Sequence, residues 1–202
     1  MLGRAALSAS LLLLFTVNAA SAANATVTIT NDHYSSSSQT VSFGEQVTWT
    51  TGAGATHHHT STSNLPVATW GTVLAWNYDF QPNVPGSHDQ TFDQAGGWMY
   101  HCAIHGSMRG TVSVPMTASS LSGPLGTTFT FNLGDKALPA GFVHDIQKRK
   151  VGSAFKTWMS PAGTAQTWKP TKRGKFQFQT RVRNTSNGQA SSYSPVITIT
   201  VA

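Results

Sequence analysis

The sequence predicts an all-β protein made of two β-sandwiches in tandem. Three observations carry that prediction: short runs in which apolar and polar residues alternate, the absence of a helical period of comparable strength, and a sharp division of charge near residue 115. Residues 23–115 hold one basic residue, Arg109, against Asp32, Glu45, Asp79, Asp89 and Asp93, a net −4. Residues 116–202 hold eleven Lys or Arg against Asp135 and Asp145, a net +9, and seven of the eight histidines fall in the acidic half. The reading is of domains at 23–115 and 116–202, each with a core of its own.

The N-terminus is read separately. Met1-Leu2-Gly3-Arg4, an apolar run through Leu11-Leu12-Leu13-Leu14-Phe15, and the small-residue ending Ala20-Ser21-Ala22 predict a cleaved signal peptide over residues 1–22. The remainder is then expected outside the cytosol, extracellular or periplasmic, without a lipid anchor or a membrane span. Exported chains commonly carry disulfides, yet Cys102 is the sole cysteine. An unpaired thiol there is open to oxidation unless something protects it, and a bound metal would do so.

The strands of the first domain follow from alternation. Val27 and Ile29 alternate with threonines; after the polar Ser35–Ser38, Val41 and Phe43 lead to Gly44-Glu45, and Val47 and Trp49 resume, reading as a pair of short strands about a Gly turn. Then comes Gly52-Ala53-Gly54 and the triplet His57-His58-His59. Residues 65–90 show only turns, at Pro85-Gly86, and a strand near Thr91-Phe92, with His33 and His88 expected to be exposed. Further on, Trp98, Tyr100 and Cys102 share one parity and His101 the other, so Cys102 ends a buried strand while His101 points outward.

The chemistry concentrates in Tyr100-His101-Cys102-Ala103-Ile104-His105-Gly106-Ser107-Met108-Arg109-Gly110. A lone Cys ordinarily packs as a small hydrophobe and a lone Met fills core space. Here thiolate, imidazole and thioether recur at intervals of three in a Gly-containing loop, a soft donor set suited to copper, and a His₂Cys site with a weak axial Met is the recipe for blue copper. The second imidazole has its natural source in the His57–His59 triplet, where alternation puts His57 and His59 on one face and His58 on the other.

Gly44-Glu45-Gln46-Val47-Thr48-Trp49, a turn ending in His, and the Tyr100–Val112 segment together resemble a cupredoxin of the plastocyanin or amicyanin type, with a Cys-x-x-His-x-x-Met spacing similar to the amicyanin loop. The resemblance covers roughly residues 25–115. It implies a Greek-key β-sandwich holding one type 1 copper, with Cys102, His105 and Met108 as ligands and Met108 axial. The upstream ligand falls on His59, or alternatively on His57, depending on the end from which the spacing is counted. His101-Cys102 is also similar to a pair in copper nitrite reductases and multicopper oxidases, but their longer downstream loop is absent and the domain offers one complete copper site and no convincing second, so no enzymatic activity is expected.

Residues 116–202 read as six or seven short strands: 128–133, 142–150, 155–158, 166–168, 175–184 and 195–201. Their order, with Gly174–Asn184 followed by Ser192-Tyr193-Ser194-Pro195, resembles a fibronectin type III module, implying a second, immunoglobulin-like β-sandwich. Phe131 and Phe176 stand where such modules usually carry Trp and Tyr. Phe176, Phe178 and Val182 alternate with Gln177, Gln179, Arg181 and Arg183, so one face is core. The other, with Lys148-Arg149-Lys150, Lys169, Lys172 and Arg173, is either a solvated surface or a positive face for an anionic cell-surface polymer or acidic partner. Nucleic acid is not expected.

The function expected from these residues is a secreted type 1 copper protein passing single electrons between redox partners that dock near His105. Ala103, Ile104 and Gly106 would offer an apolar contact. The alternatives are extracellular copper binding and delivery, or an envelope interaction protein with a copper-binding domain.

Overall fold

The computed structural model describes residues 24–52, 55–56 and 58–202. The expected signal peptide and His57 lie outside the described residues. Among these, no helix is long and apolar enough to cross a membrane.

The first half builds β1 (Ala25–Ile29), β2 (Ser38–Thr40), β3 (Glu45–Thr51), β4 (His59–Ser63), α1 (Val67–Leu74), β5 (Asn77–Phe80), β6 (Gly86–Phe92), β7 (Gly96–His101) and β8 (Arg109–Val114). They form a three-stranded sheet, β1-β3-β6, and a five-stranded sheet, β2-β8-β7-β4-β5. Alternation does what the sequence implies: Val27, Ile29, Val47 and Trp49 from one sheet, and Trp98, Tyr100, Val112 and Val114 from the other, are all buried in one core. Of the two strands read about Gly44 only the second forms, as β3; Val41 and Phe43 lie outside any strand, and the preceding strand is the polar Ser38–Thr40, which does not pair with β3. β2 pairs with β8 and β3 with β1 and β6, so Gly44, at φ 77°, carries the chain across from one sheet to the other.

The segment 65–90 holds more structure than its sequence indicates. α1 starts at Pro66 with no side-chain cap and is interrupted at Gly71 (φ 69°, ψ 163°), yet it buries Trp70 and Leu74. His88 is not exposed as expected. It is half-buried, stacked 4.6 Å from Tyr78 and 6.2 Å from Trp49, and burial lowers its pKa, partly offset by Asp89.

The second half builds β9 (Thr117–Ala118), β10 (Ser122–Gly123), β11 (Phe129–Asn132), β12 (Phe142–Lys150), β13 (Lys156–Met159), β14 (Ala165–Trp168), β15 (Gly174–Asn184) and β16 (Ile197–Val201). Its sheets are β14-β11-β9 and β10-β16-β15-β12-β13. Phe129, Phe131, Ile146, Trp168, Phe178 and Ile199 fill the space between them. The fold is therefore all-β, with two sandwiches of two sheets each.

The sandwiches are packed directly against one another. Phe142 and Val182 of the second half belong to the apolar cluster of the first, with Phe142 5.0 Å from Trp70. Gly97 and Ser192 exchange backbone hydrogen bonds of 2.8 and 2.9 Å, and Lys136 pairs with the buried Asp93 at 2.9 Å. Gln94 stands between the two halves: its amide donates to the Lys136 carbonyl at 2.7 Å and accepts from His144 Nε2 at 3.2 Å.

Candidate metal centre

The centre forms where two strands stop pairing. The ladder between β4 and β7 contains Ser63–Tyr100 and Thr62–His101 and goes no further, so Thr60 and Cys102 meet without a backbone ladder between them. The Thr60 N–H donates to Cys102 Sγ at 3.4 Å. Its hydroxyl accepts from the Ala103 N–H at 2.7 Å, and its carbonyl accepts from the Tyr34 hydroxyl at 2.6 Å. One threonine thus holds the thiol, the start of the following loop and an aromatic wall.

That loop closes on itself. Cys102 N–H donates to the Met108 carbonyl at 3.0 Å, and Met108 N–H to the His105 carbonyl at 2.9 Å, bringing the three spaced donors back to one end of the sandwich. Cys102 and Met108 are buried, at 1% and 2% exposure. His105 is half-buried, with Nδ1 3.6 Å from Cys102 Sγ, while Ala103, Ile104 and Gly106 are exposed around it.

Gly110, just beyond the loop, is required by close packing. A Cβ there would overlap the Tyr100 ring and lie 2.6 Å from the Ser37 carbonyl oxygen. Burial raises the pKa of Tyr100 to about 12, and its hydroxyl donates to the Ser37 carbonyl at 3.3 Å. Tyr34 is raised further by burial, with the neighbouring Cys102 and Tyr100 adding to it.

The two described histidines of the triplet, His58 and His59, point to opposite sides, as alternation requires. His59 is fully buried and its ring centroid lies 5.0 Å from that of His105. His59 Nε2 is 3.0 Å from the Asn31 carbonyl oxygen, which can only accept, so Nε2 is the donor in that contact. His58 turns outward to Asp79 at 2.6 Å, and His101 also turns outward, with Nδ1 2.7 Å from Asn64 Oδ1.

The described donors are therefore a buried thiol, two imidazoles and a buried thioether. Among the described residues, no group of three or more His, Cys, Asp or Glu side chains that could hold a metal ion is found. Sequence reasoning missed Asn31, Tyr34 and Thr60. Only Thr60 carried a signal, as part of the His-Thr-rich run after the triplet.

No protein-family model matches the chain, and no curated protein matches it. Among solved structures, it is similar to an oxidized Met-to-Lys variant of amicyanin, 25% identical, over 45% of this chain and 81% of that one, with a TM-score of 0.38. It is also similar to an oxidized Pro-to-Gly variant, 28% identical over 48% and 87%, TM-score 0.36. A reduced Cu(I) form of another Pro-to-Gly amicyanin variant is 24% identical over 50% and 90%, TM-score 0.36.

Proposed function

We propose that the chain is an exported, non-enzymatic one-electron carrier whose first sandwich is a cupredoxin domain with one type 1 copper, followed by a fibronectin III-like module. The observation that carries this reading is the buried His59 ring, held by the Asn31 carbonyl at 3.0 Å, beside a thiol and imidazole already 3.6 Å apart. Cys102, His105, His59 and Met108 would hold the metal, a thiolate, two imidazoles and a thioether being the donor types that favour copper. When bound, copper supplies a one-electron Cu(II)/Cu(I) couple.

The chain's own residues do the rest. The Asn31 carbonyl fixes the His59 ring, and the Thr60 N–H places a positive dipole end on Cys102 sulfur, stabilising its thiolate. Tyr34, Trp49, Trp76 and Tyr100 pack closely in the adjoining core, so the frame resists rearrangement when charge changes. His105, with exposed Ala103, Ile104 and Gly106, forms a small apolar patch suited to brief docking of a redox partner. The module reading is supported by the order of the second sandwich, three strands facing five.

The test is the visible spectrum of copper(II)-loaded protein. Wild type and His57→Ala are expected to show an intense thiolate charge-transfer band, and His59→Ala to lose it. A pale wild type would remove the electron-transfer reading in favour of copper storage or delivery. A band retained in both variants would sink the placement of the upstream ligand.

A further inference from the structure

Ile146 to Ala202 contains no Asp or Glu, but ten Lys or Arg. Two of them do not belong to an open positive face, the second of the two readings of this surface. Arg181 and Arg183 close on Asp145, with Arg183 Nε at 2.8 Å and Arg181 Nη2 at 3.3 Å from its Oδ2. The lysines at the other end of the same sheet have no such counter-charge.

Lys148 on β12 lies directly opposite Lys156 on β13, and Lys150 follows two residues on, so all three ammonium groups emerge from one face. Like charges directly opposed across a sheet are destabilising. That face runs inward as His144 and Ile146, both fully buried, and leaves the core at Lys148. Lys148 therefore marks the mouth between the two sheets, with its ammonium 5.1 Å from the Trp158 ring and 5.8 Å from the Trp168 ring. Burial lowers its pKa, as expected of a cation partly withdrawn from water. None of the three lysines is in an ion pair among the described residues.

The mouth opens into a groove of about 350 Å³ lined by Lys148, Lys150, Lys156, Trp158 and Phe176. That lies within the roughly 300–1,000 Å³ of sites that enclose a small ligand or one unit of a polymer.

We propose that this groove is a binding site for an acidic polysaccharide, one sugar unit resting against Trp158 and Phe176 with its sulfate or carboxylate among Lys148, Lys150 and Lys156. The polymer's negative charge supplies what the opposed lysines lack, and the two rings supply an apolar face for a pyranose. A compact mouth with a partly covered indole fits a single sugar unit better than a run of stacked bases, which needs a series of open aromatic platforms along a basic track. The inference stands independently of the metal centre.

Binding of the copper-loaded full chain is measured against four probes of matched length: a sulfated dextran oligomer, a polygalacturonate oligomer, a neutral dextran oligomer and single-stranded oligothymidylate. Both acidic oligosaccharides, or one of them, are expected to bind, and the neutral one not to. Lys150→Gln with Lys156→Gln, both exposed and safe for folding, should weaken that binding at least tenfold. Lys169→Gln with Lys172→Gln, equal in charge lost but outside the groove lining, should change it less than twofold. Trp158→Phe should weaken the acidic oligosaccharides at least threefold and leave oligothymidylate unchanged.

Equal losses from the two lysine pairs would overturn the site in favour of diffuse attraction. Binding of oligothymidylate as tight as that of the acidic sugars would overturn the ligand class, and no binding by any probe would overturn both. The visible band, read on the same samples, reports the metal centre separately.

Discussion

At the scale of single residues, Thr60 ties the thiol, the following loop and Tyr34 together. Thr60→Val keeps the shape and the Thr60 N–H to Cys102 Sγ but removes the acceptor for the Ala103 N–H and for Thr62 Oγ1. Because Ala103 is exposed and its N–H can turn to water, the cost is expected at about 1 kcal/mol in denaturant unfolding. The charge-transfer band should shift rather than vanish, since no proposed ligand is removed. Cys102, His105 and Met108 were legible in the sequence because they lie within one short loop at fixed intervals. Thr60 and Asn31 were not, because their partners are 43 and 28 residues away and the contact in each case involves a backbone atom. No residue-type pattern records that.

At the scale of elements, alternation was a sufficient guide wherever a strand had one face in a core. β1, β3, β7 and the longer strands of the second half fall close to where the apolar period places them. It failed for residues 65–90 for a physical reason. α1 has Pro66 at its start, no side-chain cap and a non-helical Gly71 inside, so neither the period nor the usual start signal is present. β5, Asn77-Tyr78-Asp79-Phe80, alternates over only four positions, and three of the four are exposed at a sheet edge, so the pattern is too short to stand out. In β8 the controlling residue is Gly110. Gly110→Ala must push against the buried Tyr100 ring and the Ser37 carbonyl together, so a loss of about 3 kcal/mol is expected, measured as a lowered urea midpoint. A change under about 0.5 kcal/mol would mean that β2 and β8 separate readily.

At the scale of the whole molecule, the packing of the two sandwiches makes stability sensitive to acid. Burial lowers the pKa of His144 to about 4, against a small opposing effect of Asp145. The unfolded chain takes up a proton on this histidine near pH 6.5, where the folded chain does not. Its contribution is therefore complete above about pH 6.5 and is lost as the pH falls toward 4, by up to about 3 kcal/mol. Asp145 acts in the same direction: burial raises its pKa, but the hydrogen bonds from Arg183 and Ser160 and the charges of Arg183 and Arg181 hold it below the usual value. Its stabilisation is present above the ordinary carboxylate range and disappears as the pH falls through the depressed value. Denaturant titrations at pH 7.5 and 4.5 should show this loss, and His144→Gln should remove most of it. An unchanged midpoint in the wild type would contradict a neutral, buried His144.

The direct packing of an acidic half against a basic half also makes the molecule a permanent electric dipole. Within about 8 Å at physiological ionic strength, a negatively charged surface pulls on one pole and repels the other before any contact is made. The chain then meets such a surface with its second sandwich foremost, and the first sandwich, which carries the Cys102–Met108 loop, follows. Orientation thus comes from the placement of charge along the sequence, and rigid packing transmits it from one sandwich to the other.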